Sequence, residues 1–307
     1  MSTTKAGKLY FNSLKGSLNH ILKHNCHGSK STQANRGFRL NQIIRDLHDI
    51  GFKKMNDINQ LKTRHVDKLV QYYVDKLDSK DLSAGTVKNR MSDLRWISEI
   101  IGKENIVKRT NDEYKIDRRV YVNNDINPAK RLDSESLEQV KDRGLRLSLQ
   151  LQDQFGLRRE EAIKFQPACI DEKNKRLNLI IGTKGKRFRE VPLLNDKQRQ
   201  LLDEVRKHCK ETSSKSLIPN DLSYKQQLRR YVYQTTKADI RNNHGFRHQY
   251  AQDRYLELTG LKSPKSGGLR ASELTPEQKE RDSKARMIIS EELGHGREDI
   301  TAVYLGR

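Results

Sequence analysis

The stretch SEELGHGREDITAVYLGR, residues 290–307, carries His295 and, nine positions later, Tyr304. Upstream lie Gly156-Leu157-Arg158, a lysine-bearing turn Thr183-Lys184-Gly185-Lys186, and His244-Gly245-Phe246-Arg247. These types together supply the parts for transferring a phosphodiester to a side chain without a metal. A tyrosine oxygen that attacks phosphorus keeps the bond energy in a phosphotyrosyl ester for later religation. The pentacoordinate transition state places extra negative charge on the non-bridging oxygens, where fixed cationic donors are needed. Arginine suits this because its planar fork donates two parallel hydrogen bonds and stays charged. The leaving 5′ oxygen needs a proton, which a lysine can give once neighbouring cations lower its pKa. The candidate catalytic set is therefore Arg158, Lys184, His244, Arg247, His295 and Tyr304.

Taken singly, each has an ordinary structural explanation. Arg158 and Glu161, three residues apart, could pair on a helix surface. Lys184 could be a solvated hairpin tip, with Lys186 as the working lysine instead. His244 and His295 could be satisfied core histidines, and Tyr304 a packing aromatic. The weight lies in the ordered set. His20, His24, Cys26 and His27 cluster, but their spacing fits no standard zinc finger and no second ligand pair follows, so no metal is expected.

Charge points to a polyanionic partner. Lysine plus arginine number 61 against 40 acidic residues, a net charge of +21. Such an excess favours nucleic acid ahead of a membrane surface. Mean hydropathy is −0.92, no apolar run is long enough to span a bilayer, and residues 1–16 lack the apolar core of a signal peptide. The three cysteines, Cys26, Cys169 and Cys209, lie far apart, which suits a reducing cytoplasm.

The elements that must position the set read as mainly helical with one small β-hairpin, an α+β class. Residues before about Lys30 are an arm or a marginal helix with Leu18, Ile21 and Leu22 apolar. Helical periodicity then gives a helix from Thr32 carrying Leu40, Ile43, Ile44, Leu47 and Ile50, with Gly51 at its end. A second follows Thr63 as N-cap, and a third begins near Ser83. Lys88, Arg90 and Arg95 lie off the apolar stripe of the third and are candidate DNA contacts. From Gly102 periodicity fades, with a short extended piece at Val120 to Val122. The expected organisation is a helical domain over 1–117, a linker over 118–131 and a second domain over 132–307. In that second domain Ser134 is expected to cap a helix, and others run through Leu145–Phe155 and from Arg159 or Glu160. Leu177, Leu179 and Ile181 alternate as a strand, with Arg189–Leu194 as its return. Helices resume at Asp196–Lys210, Tyr224–Ala238 and Phe246–Leu258. A loop spans Gly260–Pro276, then a helix, continuous or broken, runs toward Leu293, and a short one carries Tyr304. Lys225, Arg229 and Arg230 on the helix at Tyr224–Ala238, with Lys186 and Arg187 at the turn, are further DNA-contact candidates.

At these motifs the chain resembles the tyrosine recombinases of the phage integrase, Xer and Cre type. Gly156-Leu157-Arg158-Arg159-Glu160-Glu161 is similar to the family's first arginine motif. Residues 183–193, TKGKRFREVPL, are similar to its GKGxKxRxVPL hairpin, which maps Lys184 onto the catalytic lysine. His244-Gly-Phe-Arg247-His248 is similar to the HxLRH box, with Phe246 where leucine is usual. Leu293-Gly294-His295 is similar to the LGH box, and Tyr304 follows at the family spacing. The motifs fall in family order over Leu132–Arg307. The resemblance implies a C-shaped clamp on double-stranded DNA made of a helical core-binding domain and a catalytic domain. It implies site-specific strand exchange through a 3′-phosphotyrosyl intermediate without cofactor or metal, for integration or excision of a mobile element or prophage. Arg158, Arg247 and His295 would hold the phosphate, Lys184 would protonate the leaving hydroxyl and His244 would assist. Glu161 would orient a neighbour, Arg158 or His244, and His248 would support. It further implies a homotetramer on DNA, a monomer or weak oligomer when free, and a cytoplasmic, bacterial or phage setting. Rival readings are a type IB topoisomerase-like nicking and resealing enzyme, a dimer-resolution enzyme, and a catalytically inactive DNA-binding relative. An RNA-binding module lacks its aromatic strand signatures here.

Two departures from the family pattern set expectations. Arg247 and His295 are 48 positions apart, about twice the gap of a compact member. The extra material, approximately 260–284, is either an insertion touching DNA or a partner, or a surface loop. Only Leu305, Gly306 and Arg307 follow Tyr304, so its helix is expected to be mobile without DNA.

Overall fold

The computed structural model describes residues 3–5, 8–118 and 120–307, with side chains from Phe11 onward. The chain divides into two compact units, Met1–Val120 and Tyr121–Arg307.

In the first unit a backbone hairpin pairs β1 (Thr3–Lys5) with β2 (Lys8–Tyr10), antiparallel. Four helices follow: α1 (Leu14–His24), α2 (Lys30–Asp49), α3 (Thr63–Asp78) and α4 (Ala84–Ile100). Ser13, Ser29 and Ser83 each accept a hydrogen bond from the amide three residues on, which fixes where α1, α2 and α4 begin. Thr63 is not a cap: it is the first residue of α3, and Lys62 precedes it. The stretch left open as arm or helix is a helix because Leu14 and Leu18 have a core to enter. They pack with Leu40, Ile43, Leu47, Leu69, Tyr73, Val87, Met91 and Leu94. Each such buried side chain contributes roughly 1.5–3 kcal/mol. Val107 and Ile116 join the same core, so the aperiodic segment after Gly102 belongs in part to this unit. Val120–Val122 forms no strand.

Arg90 departs from the sequence reading. It is buried and donates to Asp46 at 2.9 Å, which also accepts from the Tyr73 hydroxyl at 2.8 Å. A guanidinium inside a helical core needs such a partner, and this takes Arg90 off the exposed basic face.

The second unit holds α5 (Ser134–Glu138), α6 (Arg143–Phe155), α7 (Arg159–Ile163), β3 (Ile170–Asp171), β4 (Arg176–Leu179), β5 (Arg189–Pro192), α8 (Asp196–Glu211), α9 (Tyr224–Lys237), α10 (His244–Thr259), α11 (Pro276–Glu292) and α12 (Glu298–Leu305). Asp133, not Ser134, caps α5. Leu147, Leu151 and Phe155 of α6 enter one core, while Leu145 and Leu149 enter another. A helix buried on two sides must be apolar on both, hence its leucines at every second position.

The sheet order is β3-β4-β5, antiparallel throughout, with Leu177 opposite Val191 and Leu179 opposite Arg189. β3 is too short to leave a sequence signal. β4 stops at Leu179, and Ile180 and Ile181 are exposed. The hairpin is joined by residues 180–188, in which Gly185 takes φ 71°. α11 is a single unbroken helix, its start set by Thr275 and Gln278 capping each other.

Candidate active site

The site grows from two helix ends. α6 terminates at Gly156, whose φ of 59° is left-handed. A Cβ there would lie 2.7 Å from the Tyr250 ring, so both conformation and packing require glycine. α11 terminates at Leu293, followed by Gly294 at φ 67°. A Cβ on Gly294 would lie 2.7 Å from Cδ of Arg189. The last carbonyls of a helix lack intrahelical partners and carry the negative end of its dipole. Here they collect guanidiniums. Arg247 Nη1 donates to the Gly156 carbonyl at 2.6 Å, and its Nη2 donates to the Leu293 carbonyl. Arg158 Nη2 donates to the same Leu293 carbonyl at 2.9 Å. Arg189 Nη1 donates to the Glu292 carbonyl.

One carboxylate sits among these cations. Glu161 accepts from the Arg158 backbone amide at 2.6 Å and from Arg158 Nη1 at 2.9 Å. It also accepts from Arg189 Nη2 at 2.6 Å and Arg189 Nε at 3.3 Å. Burial would push its pKa up, but the charges and bonds of Arg189, with Arg247 and Arg158, overcome this and take it down to about 2. Glu161 therefore orients Arg158, one of its two expected targets, and among the described residues no hydrogen bond joins it to His244. Arg189 was not singled out by the sequence beyond its place in the hairpin. The available signal was a charge at an inward position: Arg189 and Val191 are the buried members of β5.

Tyr304 lies on α12 and is buried, with 5% of its surface exposed. Its hydroxyl is 3.3 Å from His295 Nε2, 3.5 Å from His244 Nε2 and 3.4 Å from Arg247 Nε. His248 stacks obliquely on the tyrosine ring, centroids 4.6 Å apart. The hydroxyl points toward Arg247. Leu305 is fully buried, and the carbonyls of Gly306 and Arg307 are bonded to Arg286 and Asn124. Side chains elsewhere in the unit supply the anchoring that three trailing residues could not be seen to provide.

The histidines are held neutral. Burial, then the charges of Arg247 and Arg158, lowers His244. Burial followed by Arg247, Arg158, Arg189 and Lys184 takes His295 down to about 4. His248 falls to about 3, through burial, then His244, Lys265 and Arg247. Burial, then Arg189, lowers Arg247 to about 10, still a cation at neutral pH. The site is three guanidiniums against one carboxylate, facing a ring of uncharged imidazoles. Such an arrangement can hold an anion, its charge fixed in advance.

Lys184 stands on the exposed hairpin connection, and among the described residues no hydrogen bond or ion pair holds it. Its charge is felt at His295. Lys186 and Arg187 are exposed on the same turn. On α9, Lys225 and Arg229 are exposed, while Arg230 pairs with Asp142 at 3.3 Å. Lys88 is exposed, and Arg95 bonds the Lys108 carbonyl and Asn111. Among the described residues no group of His, Cys, Asp and Glu is placed to hold a metal ion, and no helix is long and apolar enough to cross a membrane.

Comparison with known proteins places this geometry. A family model described as integrase matches residues 126–253, and one described as phage integrase, N-terminal, matches residues 11–107. The chain belongs to the tyrosine recombinase family. Similar solved structures include the XerH site-specific recombinase bound to its difH substrate, at 17% identity and a TM-score of 0.54, covering 94% of this chain and 80% of that one. The Tn1549 transposon integrase with transposon right end DNA is similar at 13% identity and 0.53, covering 96% and 95%. A lambda integrase tetramer bound to a Holliday junction is similar at 14% and 0.54, covering 96% and 77%. At such identities the likeness is one of fold. Among curated protein sequences none matches significantly. One matched segment falls in each unit.

Proposed function

We propose that this integrase is a site-specific DNA recombinase whose Tyr304 cleaves and rejoins DNA strands through a 3′-phosphotyrosyl intermediate. The observation that carries the reading is the Tyr304 hydroxyl held between His295, His244 and Arg247. The remaining N–H groups of Arg158 and Arg247, whose other donors stay on main-chain carbonyls, would hold the scissile phosphate. Tyr304 Oη attacks phosphorus, and its proton passes to a neutral imidazole, His244 in the assigned role. The phosphorus–O5′ bond breaks, and Lys184, reaching in from the exposed turn, protonates the departing 5′ oxygen. His295 donates to a non-bridging oxygen. The reverse attack, by a 5′-hydroxyl of another strand, expels the tyrosine and seals the new junction. No metal takes part, because the guanidiniums supply the charge that a metal would.

The basic hairpin turn and the exposed cations of α9 are the proposed duplex contacts. By likeness to the lambda integrase tetramer on a Holliday junction, the working form would be a homotetramer on double-stranded DNA. The separate cysteines, none of them paired, fit a reducing cytoplasm. The test is a nicked suicide duplex carrying the native site. The wild type should form a covalent adduct and Tyr304→Phe none. An adduct that survives Tyr304→Phe would refute the assignment.

A further inference from the structure

The helix that carries Tyr304 is only eight residues long, and its last carbonyls need partners. They, and the carbonyls just beyond them, find partners in side chains from four other segments. Lys265 Nζ donates to the Val303 carbonyl at 2.7 Å. Gln252 Nε2 donates to the Tyr304 carbonyl at 3.1 Å. Arg286 Nη1 donates to the Gly306 carbonyl at 3.0 Å. Asn124 brackets Arg307, donating to its carbonyl at 2.9 Å and accepting from its amide at 3.2 Å. Two of these donors are cations, the charge that a helix C-terminus favours.

Gln252 is itself fixed on every side. It exchanges hydrogen bonds with the Asn127 amide at 2.8 and 3.1 Å, and accepts from the Ser266 hydroxyl at 2.7 Å. Ser266 in turn lies 3.0 Å from the Ser263 hydroxyl. The segment around Pro264 is folded tightly against the tail. A Cβ on Gly306 would lie 2.8 Å from Asn124, 3.0 Å from Pro264 and 3.1 Å from Lys265. Lys265 and Ser266 belong to the extra 260–284 material. Part of that material is packed against the tail of its own chain. It is a cradle under α12.

We propose that Lys265 and Gln252 are positioning residues for the nucleophile, which grip the backbone of the Tyr304 helix so that the hydroxyl stays on the anion site of its own chain. The inference rests on the strand-cleavage reading above. The grip acts through main-chain carbonyls, so the side chain of Tyr304 remains free to react. A small displacement of α12 would move the hydroxyl off Arg247 and His295, and misplacement by about 1 Å can cost a hundredfold in rate.

The test uses full-length Lys265→Met, which keeps the stem and removes the donor, and Lys265→Arg, which restores one. On the suicide duplex, Lys265→Met should form adduct about ten- to a hundredfold more slowly than wild type, with DNA affinity unchanged. Lys265→Arg should recover most of that rate. In DNA-free protein, amide exchange over 301–307 should accelerate in Lys265→Met while α6 stays as protected as in wild type. Adduct formation at the wild-type rate with unchanged exchange at 301–307 would overturn the proposal. So would a loss that arginine does not restore and that is matched by lost DNA binding. A wild type that forms no adduct would count against the cleavage reading, while the exchange comparison would still decide the role of Lys265.

Discussion

Glu161 and Arg189 form an ion pair 2.6 Å long from which water is excluded, the two side chains being at most 1% exposed. It joins α7 to β5 and, through the second oxygen pair, orders Arg158. Removing one partner of a buried pair leaves an uncompensated charge and costs about 3–5 kcal/mol. Glu161→Gln should therefore lower unfolding free energy by an amount of that order, read by chemical denaturation. The pH dependence has a definite sign. A carboxylate whose folded pKa is depressed to about 2 from 4.5 stabilises fully above pH 4.5. That contribution fades as pH falls through about 2, and Glu161→Gln should lack this part of the acid sensitivity.

His295 gives the opposite kind of group, one whose charged form is disfavoured on folding. Its pKa falls from 6.5 to about 4 through burial and the neighbouring cations. Between these values the unfolded chain binds the proton and the folded chain does not, so stability is lost as pH drops from 6.5 toward 4. The His295 ring resonance should titrate near pH 4 in free protein. An oxyanion such as vanadate in the site should move that titration upward, since it offsets the guanidinium charges.

Arg247 has both Nη atoms on helix-end carbonyls and Nε on the tyrosine. Lysine has one donor head and cannot span these directions. Arg247→Lys should slow adduct formation by about 10²–10³, the loss typical of one oxyanion donor. Stability should fall by about 1–3 kcal/mol for the carbonyl left unpaired. The rates of adduct formation and the denaturation midpoint check the two separately.

Basic residues of one composition class separate into two roles. Arg90 is locked to Asp46 inside the first unit, so Arg90→Ala should destabilise by about 3–5 kcal/mol. Lys225→Ala and Arg229→Ala, both on an exposed helix face, should leave stability nearly unchanged. Each should reduce the salt slope of DNA binding by about one. Affinity titrations across salt concentrations distinguish these outcomes.

The sequence made the helices legible where one face is apolar and a Ser or Asp caps the start, as in α2, α4 and α9. The candidate catalytic residues were legible because their types are rare in combination and their spacing recurs. Arg189 was obscured because a buried arginine in a strand resembles any other charge until its partner, 28 positions away, is known. Arg90 was misplaced for the same reason, its partner Asp46 lying 44 positions off. The anchoring of Tyr304 could not be read either. It depends on Asn124, Gln252, Lys265 and Arg286, which meet only in three dimensions and carry no local pattern.

As the proposed nucleophile of a DNA-cleaving site, Tyr304 should carry the covalent link to DNA. Wild-type protein should be trapped on a nicked suicide duplex, digested with protease and the DNA-linked peptide sequenced by mass spectrometry. A single modified residue is expected, Tyr304, esterified to a 3′-phosphate. A modified residue elsewhere, or a 5′-phosphate linkage at Tyr304, would contradict that role.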